Sequence, residues 1–337
     1  MYLSKCGPYY YVYFVNPATG KRTKISTRSK KKTDAYKFLL KFDPNTKIKY
    51  KKITISEFKN EFLIYAKIHY SAGTFCLYER SLRQLVSQIS NIILKDITRM
   101  HIESFKINRI ANKVSKTTVN MEFRALKAMF NFAIIWKLIE TNPCEGIKQF
   151  KIFQKEILSF NESEISAILE QITIQPLKDF VLFALLTGCR LNEITQLQWK
   201  DIDLINNTLI IRNKPGFKTK SGRIRILPVS NKLRFVVDKL SSFNAEDNND
   251  AYVFLNHKGL PFEGNYLSRL FKKELRRLKF SERYHFHCLR HTFITNLVRK
   301  GVNIYDIKHL AGHVNIETTE LYMHNITDDL RKAVNLI

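Results

Sequence analysis

Apolar residues recur at two different periods along this chain, and the change of period divides it. Tyr9-Tyr10-Tyr11-Val12-Tyr13-Phe14-Val15 is an aromatic and β-branched run of strand length. Turn-forming Asn16-Pro17-Ala18-Thr19-Gly20 follows, and a second short strand at residues 24–27 completes an expected hairpin. Residues 33–42 then read as a helix. From 53 to 140 the spacing becomes that of helices throughout, with Phe58, Phe62 and Ala66 on one face and Leu82, Leu85 and Val86 on another. Ser115-Lys116-Thr117-Thr118 reads as the cap of a long helix. Its apolar stripe is Val119, Phe123, Leu126, Met129, Phe130 and Ala133, and its opposite face holds Asn120, Arg124 and Lys127. Thr141-Asn142-Pro143 ends this stretch, and a linker follows.

Beyond residue 156 the pattern is mixed. Helices are expected at 161–171 and 176–186, a strand hairpin at 208–229, an acidic loop at 244–250, a short strand at 252–256, and helices to the end. The final segment places Ile326, Leu330, Ala333, Val334 and Ile337 on one helical face, with Thr327 or Asp328 as cap. An isolated helix of that length is marginal, so it must dock on its own domain or on a neighbour's. The fold class is therefore mainly α with small β elements. A length of 337 residues exceeds one ordinary core, and three regions are expected: a small sheet-plus-helix module at 1–52, a helical domain at 53–150, and a mixed, mainly helical domain at 151–337.

Charge narrows the partner. The chain carries 56 Lys and Arg against 30 acids, a net of +26, and the first 52 residues alone hold fourteen basic and two acidic side chains. Such an excess suits a polyanion, whose condensed counterions are released on binding. No apolar run reaches membrane-spanning length and no signal peptide opens the chain, so nucleic acid is preferred to an anionic membrane; the family resemblance set out below makes that partner double-stranded DNA. Candidate contacts are Arg28 and Lys30 in the first module, and Lys116, Thr117, Thr118, Asn120, Arg124 and Lys127 on the capped helix. The five cysteines are scattered without a C-x-x-C pair, which fits reduced thiols in the cytoplasm.

The chemistry-bearing residues lie late in the chain. Thr187-Gly188-Cys189-Arg190 interrupts an apolar helix, and the glycine break delivers Arg190 to a helix entrance, where its planar fork can hold two phosphate oxygens. Glu193 lies one turn on. Lys218 and Lys220 sit in a turn before Arg225. His287 and Arg290 share a helix face by their i, i+3 spacing, whereas His291 falls on a different line and is expected to orient or pack. Six of nine histidines lie between 285 and 324. His287 and His291 have zincin spacing, but Cys288 stands where that motif needs glutamate, so no metal is expected. Gly312-His313 and then Tyr322 complete the set.

The order Arg…Lys…His-x-x-Arg…Gly-His…Tyr resembles the tyrosine recombinases, or phage-type integrases, over residues 53–324. The stretch from Thr187 to Asp203 is similar to the family's first box, and the first fifty residues resemble the arm-site modules that some integrases carry. Ala311, where the family usually has leucine, departs from it. The resemblance implies a SAM-like core-binding domain followed by a catalytic domain. It implies that Arg190 and Arg290 clamp the scissile phosphate, that His313 adds a hydrogen bond, and that Glu193 buttresses the site. Lys220, five residues before Arg225, is the implied general acid, with Lys218 its competitor, and His287 the implied proton acceptor. Tyr322 is the implied nucleophile, forming a 3′-phosphotyrosyl bond without ATP or a divalent metal. The implied assembly is a homotetramer on DNA with the C-terminal helix exchanged between subunits, docking in cis being the alternative. The implied function is integration or excision of a mobile element. Chromosome-dimer resolution, a type IB topoisomerase and a catalytically silent DNA-binding relative are the alternatives.

Overall fold

The computed structural model describes residues 1–15, 20–43, 52–153, 156–219, 222–243, 250–256 and 258–323. The chain divides into two compact units, Met1–Gln154 and Lys155–Ile337.

The first unit opens with an antiparallel meander of β1 (Tyr2–Cys6), β2 (Tyr9–Val15) and β3 (Arg22–Ser26), followed by α1 (Lys32–Lys41). Val12 pairs with Leu3 on one side and Ile25 on the other. It is fully buried, as is Ala35 of α1. The aromatic run thus forms the middle strand of three, not one arm of a hairpin. The first strand escapes the sequence pattern because Tyr2–Cys6 has exposed ends and no fully buried position to mark its period. The turn residues Asn16 to Thr19 lie outside the described residues.

Four helices build the rest of this unit: α2 (Ile55–His69), α3 (Ala72–Ile89), α4 (Arg99–Ala111) and α5 (Lys116–Ile135). Thr54 and Glu57 form a capping box at the start of α2, each satisfying a backbone N–H of the other's residue. Ser115 caps α5 by accepting from the Thr118 N–H. The α5 stripe is buried as its spacing predicts, and Phe123, Leu126, Met129, Phe130 and Ala133 of it pack with Phe58, Phe62, Leu82 and Leu85 into one core.

The flank of α5 departs from expectation. Asn120 is only 3% exposed, and its amide donates to the Phe150 carbonyl and accepts from the Phe150 N–H, both at 2.9 Å. Lys106 works beside it: its ammonium donates to the Lys148 carbonyl at 2.7 Å and lies over the rings of Phe123 and Phe150. Together they splint residues 148–150 onto the bundle.

The second unit is built around α7 (Gln175–Thr187), which follows α6 (Glu162–Gln171). Leu177, Phe180, Val181, Phe183 and Ala184 of α7 are all buried, so this helix is covered on several sides. After α8 (Leu191–Thr195) comes a three-stranded antiparallel sheet of β4 (Ile202–Asp203), β5 (Thr208–Ile211) and β6 (Arg225–Pro228). Then follow α9 (Asn231–Phe243), α10 (Gly264–Arg277), α11 (His287–Arg299), α12 (Ile304–Ala311) and the single-turn α13 (Glu317–Glu320). The strand expected at 252–256 is reduced to two isolated bridges, Gln198 with Tyr252 and Leu255 with Pro261. Residues 244–249 of the acidic loop and the C-terminal segment from His324 onward lie outside the described residues.

Candidate active site

Two helix ends create the site. Gly188 closes α7 and Gly312 closes α12, each in the left-handed region at φ 61° and 67°. A side chain is excluded at both. A Cβ on Gly188 would stand 2.3 Å from the Phe293 ring, and one on Gly312 would stand 2.9 Å from the Arg225 guanidinium. The carbonyls exposed where these helices stop carry partial negative charge. Arg290, in the first turn of α11 and 2% exposed, bridges them: Nη1 donates to the Gly188 carbonyl at 2.7 Å and Nη2 to the Ala311 carbonyl at 2.6 Å.

Arg190 enters from the other side. It is the residue that caps α8, and its backbone N–H donates to Glu193 Oε2 at 2.8 Å while Nη1 donates to Oε1 at 2.9 Å. Its Nη2 reaches toward the Gly312 carbonyl at 3.5 Å, adjoining the one that holds Arg290. Glu193 also receives Arg225 from β6, at 3.1 and 2.7 Å. Burial would raise its carboxyl, but the bonds from Arg225 and Arg190 hold it at about 2. Two guanidinium groups therefore share one carboxylate, and Arg290 stands beside them on the helix-end carbonyls. Arg290 is lowered to about 10, first by burial and then by the neighbouring Arg190, with Glu193 opposing.

Tyr322 follows α13 and is 3% exposed. Its hydroxyl lies 2.5 Å from His291 Nδ1. Burial pushes its phenol up to about 12 against the opposing pull of Arg290 and Arg190. His313, just past Gly312, is tied through Nδ1 to Thr319 Oγ1 at 2.9 Å, and its ring runs near-parallel to that of Tyr322 at 6.4 Å. His287 stacks edge-on against His291 at 4.7 Å. Desolvation, reinforced by the neighbouring cations, lowers His291 and His313 to about 4, so both imidazoles are neutral at pH 7. His287 is lowered by the same causes, crowded by its neighbours although the residue as a whole stays exposed.

Of the eight residues singled out for chemistry, Arg190, Glu193, His287, Arg290, His291, His313 and Tyr322 come together here. Lys220 lies outside the described residues, but the loop on either side of it is braced. Asn213 accepts from the Thr219 N–H at 2.8 Å and donates to the Gly222 carbonyl at 2.8 Å. Below that loop, buried Asp201 receives Arg212 Nε at 2.7 Å and the Lys214 ammonium. The sequence reading missed Arg225, used only as a spacing mark, and Thr319. The signal for Arg225 was an arginine opening a short strand just after a lysine-rich turn.

Among the other expected contacts, Lys116, Thr117, Arg124 and Lys127 are exposed on α5, while Thr118 is partly buried by its cap. Arg28 and Lys30 are exposed beyond β3, Lys30 lying 5.8 Å from the Tyr9 ring. Asn120 is the correction. Its amide is buried and used on both sides by Phe150, so it faces inward.

The sequence matches the phage integrase family over residues 159–328 and the N-terminal domain of phage integrases over residues 70–151. A tyrosine recombinase of Pseudothermotoga lettingae is 29% identical over 250 residues, covering 73% of this chain and 84% of the relative. The tyrosine recombinase XerC of Bacillus pumilus is 27% identical over 291 residues, covering 81% and 93%. In fold the chain is similar to the Tn1549 transposon integrase in complex with a circular intermediate DNA, at TM-score 0.71 and 20% identity, covering 85% of this chain and all of that one. It is similar also to lambda integrase in a dimer bound to a COC′ core site, at TM-score 0.67 and 18% identity, covering 95% and 93%. The chain belongs to the phage integrase family. It is a tyrosine-type site-specific recombinase, an enzyme of DNA strand cleavage and rejoining. Among the described residues, no helix is long and apolar enough to cross a membrane.

Proposed function

We propose that this recombinase integrates or excises a mobile element by a 3′-phosphotyrosyl intermediate formed on Tyr322. The observation that carries the reading is the placement of the Tyr322 phenol, bonded to His291, under the field of Arg290 and Arg190. Arg190 and Arg290 hold the non-bridging oxygens of the scissile phosphate and offset the charge that builds in the pentacoordinate transition state. His313 adds a hydrogen bond to the same phosphate. The Tyr322 oxygen forms a bond to phosphorus, the bond from phosphorus to the 5′ oxygen breaks, and Lys220 gives that oxygen a proton. The family resemblance gives the role of proton partner in the forward and reverse steps to His287. The ester energy is kept in the phosphotyrosine, so a 5′ hydroxyl from another strand reverses it.

Residues 151–337 form the catalytic domain of this reading, 53–150 the core-binding domain and 1–52 an arm-binding-like module. The exposed Lys116, Thr117, Arg124 and Lys127 contact phosphates of double-stranded DNA. The working assembly is a homotetramer on DNA, with the C-terminal helix passed to a neighbouring subunit, in the cytoplasm. A second reading, chromosome-dimer resolution, is favoured by the relatives named XerC. The strongly basic first 52 residues favour the mobile-element role.

A nicked DNA substrate that traps the covalent complex tests the assignment. Wild-type protein gives a slow-migrating, protease-sensitive adduct, and Tyr322→Phe gives none. An adduct that survives this substitution overturns the nucleophile. Sequencing the DNA joined to the protein separates an element end from a chromosomal resolution site.

A further inference from the structure

We infer that His291 is a catalytic residue: its Nδ1 takes the phenolic proton of Tyr322 as the tyrosine oxygen attacks phosphorus. The inference rests on the reading of Tyr322 as the nucleophile.

Helix geometry sets it up. Arg290 and His291 are neighbours on α11, and adjacent helical positions point about 100° apart. Arg290 therefore turns to the carbonyls of Gly188 and Ala311, while His291 turns to Tyr322. The 2.5 Å separation between Nδ1 and the hydroxyl is that of a direct, short hydrogen bond. Among the described residues, no hydrogen bond joins His287 to the phenol, and His287 meets the site through the edge of the His291 ring. His313 has its own Nδ1 committed to Thr319.

The electrostatics fit a base that is silent at rest. His291 is faced by Tyr322, His287, His285 and Arg290, and burial first, then the His285 imidazole and the Arg290 guanidinium, disfavour its charged form. At neutral pH the pair is a neutral imidazole and a protonated phenol, so the imidazole has a lone pair to offer and the phenol a proton to give. An arriving phosphate brings negative charge between Arg190 and Arg290. That charge offsets the repulsion which keeps the imidazolium away, so the base strengthens when substrate binds. The oxygen–phosphorus bond forms as the proton passes to Nδ1, and the 5′ oxygen leaves with a proton from the Lys220 ammonium. On reversal, His291 returns its proton to Tyr322.

The test uses the full chain and a substrate whose scissile 5′ oxygen is replaced by sulfur, because a thiolate departs without an acid. The rate of adduct formation then reports activation of the nucleophile alone. His291→Ala and His291→Asn are each expected to slow this step about 100-fold. Their rates should climb with pH between 6 and 9, where the wild-type rate levels off. Asparagine can keep an acceptor oxygen near the position of Nδ1 but cannot take a proton, and unchanged DNA affinity shows that the fold is kept. If His291→Asn reacts within threefold of wild type with the wild-type pH profile, His291 merely positions the tyrosine and the inference fails. An adduct formed by Tyr322→Phe would instead sink the nucleophile assignment, a separate outcome.

Discussion

Arg225 grips both carboxylate oxygens of Glu193, Nη1 on Oε1 and Nη2 on Oε2, and the same carboxylate holds the backbone and side chain of Arg190. One buried anion thus braces two cations from different elements. The third cation, Arg290, is braced by carbonyl dipoles. This division fixes three guanidinium groups in place while one carboxylate neutralises only part of their charge.

Glu193→Gln is accordingly expected to be severe. Removing one partner of a buried charge cluster costs about 3–5 kcal/mol, because the remaining charges stay buried without compensation. Thermal unfolding of the purified protein should show the loss, and adduct formation should fall at least tenfold. A stability change below about 1 kcal/mol would mean that the carboxylate is not the brace described here.

Acid should weaken the same cluster in a defined order. Glu193 titrates at about 2 when folded against an ordinary 4.5, so its stabilisation is complete above 4.5 and is lost as pH falls toward 2. His291 and His313 act earlier. Their folded values of about 4 lie below the ordinary 6.5, so the unfolded chain binds their protons first. Stability is then full above about 6.5 and declines as pH falls toward 4. Circular dichroism against pH is expected to show a first decline in that upper window, diminished in a His291→Gln, His313→Gln double variant. An unchanged decline in that variant would refute the assignment.

Gly188→Ala probes the close approach that lets α7 stop beside α11. The added methyl meets the Phe293 ring, and the backbone there is left-handed. The expected cost is about 1–3 kcal/mol from crowding alone, seen as a lowered Tm. Arg290 rests on the Gly188 carbonyl, so adduct formation should decline as well. An unaltered Tm would show that Phe293 can yield.

On α5, two neighbouring side chains are expected to behave oppositely. Asn120→Ala leaves the N–H and carbonyl of Phe150 without their partners and should cost about 1–3 kcal/mol of stability. The salt dependence of its DNA binding should stay as in wild type. Lys127→Ala should leave stability nearly unchanged and lower the salt slope by about one. A reduced salt slope for Asn120→Ala would mean that residue 120 reaches DNA after all.

Much of this was legible along the chain because it is local. The α5 stripe, its Ser115 cap and the glycine break at 188 follow from helical period and backbone conformation, which neighbouring residues set. Asn120 was misread because its partner lies thirty residues on. By local pattern a polar residue on a helix flank looks like an outer face. The 252–256 segment reads as a strand by composition, but its backbone pairs only at single bridges with Gln198 and Pro261, which no local signal reports.

Residue types and their order were sufficient to reveal the kind of chemistry: a tyrosine, paired arginines and imidazoles at family spacing, on a chain charged to meet a polyanion. Folding decided which of these groups touch. Arg225 became the second arm on Glu193, Arg290 went to two helix-end carbonyls, and His291 met the tyrosine hydroxyl. Those contacts join residues 21 to 102 positions apart. They depend on where helices stop and how they cross, and a one-dimensional pattern carries no measure of either.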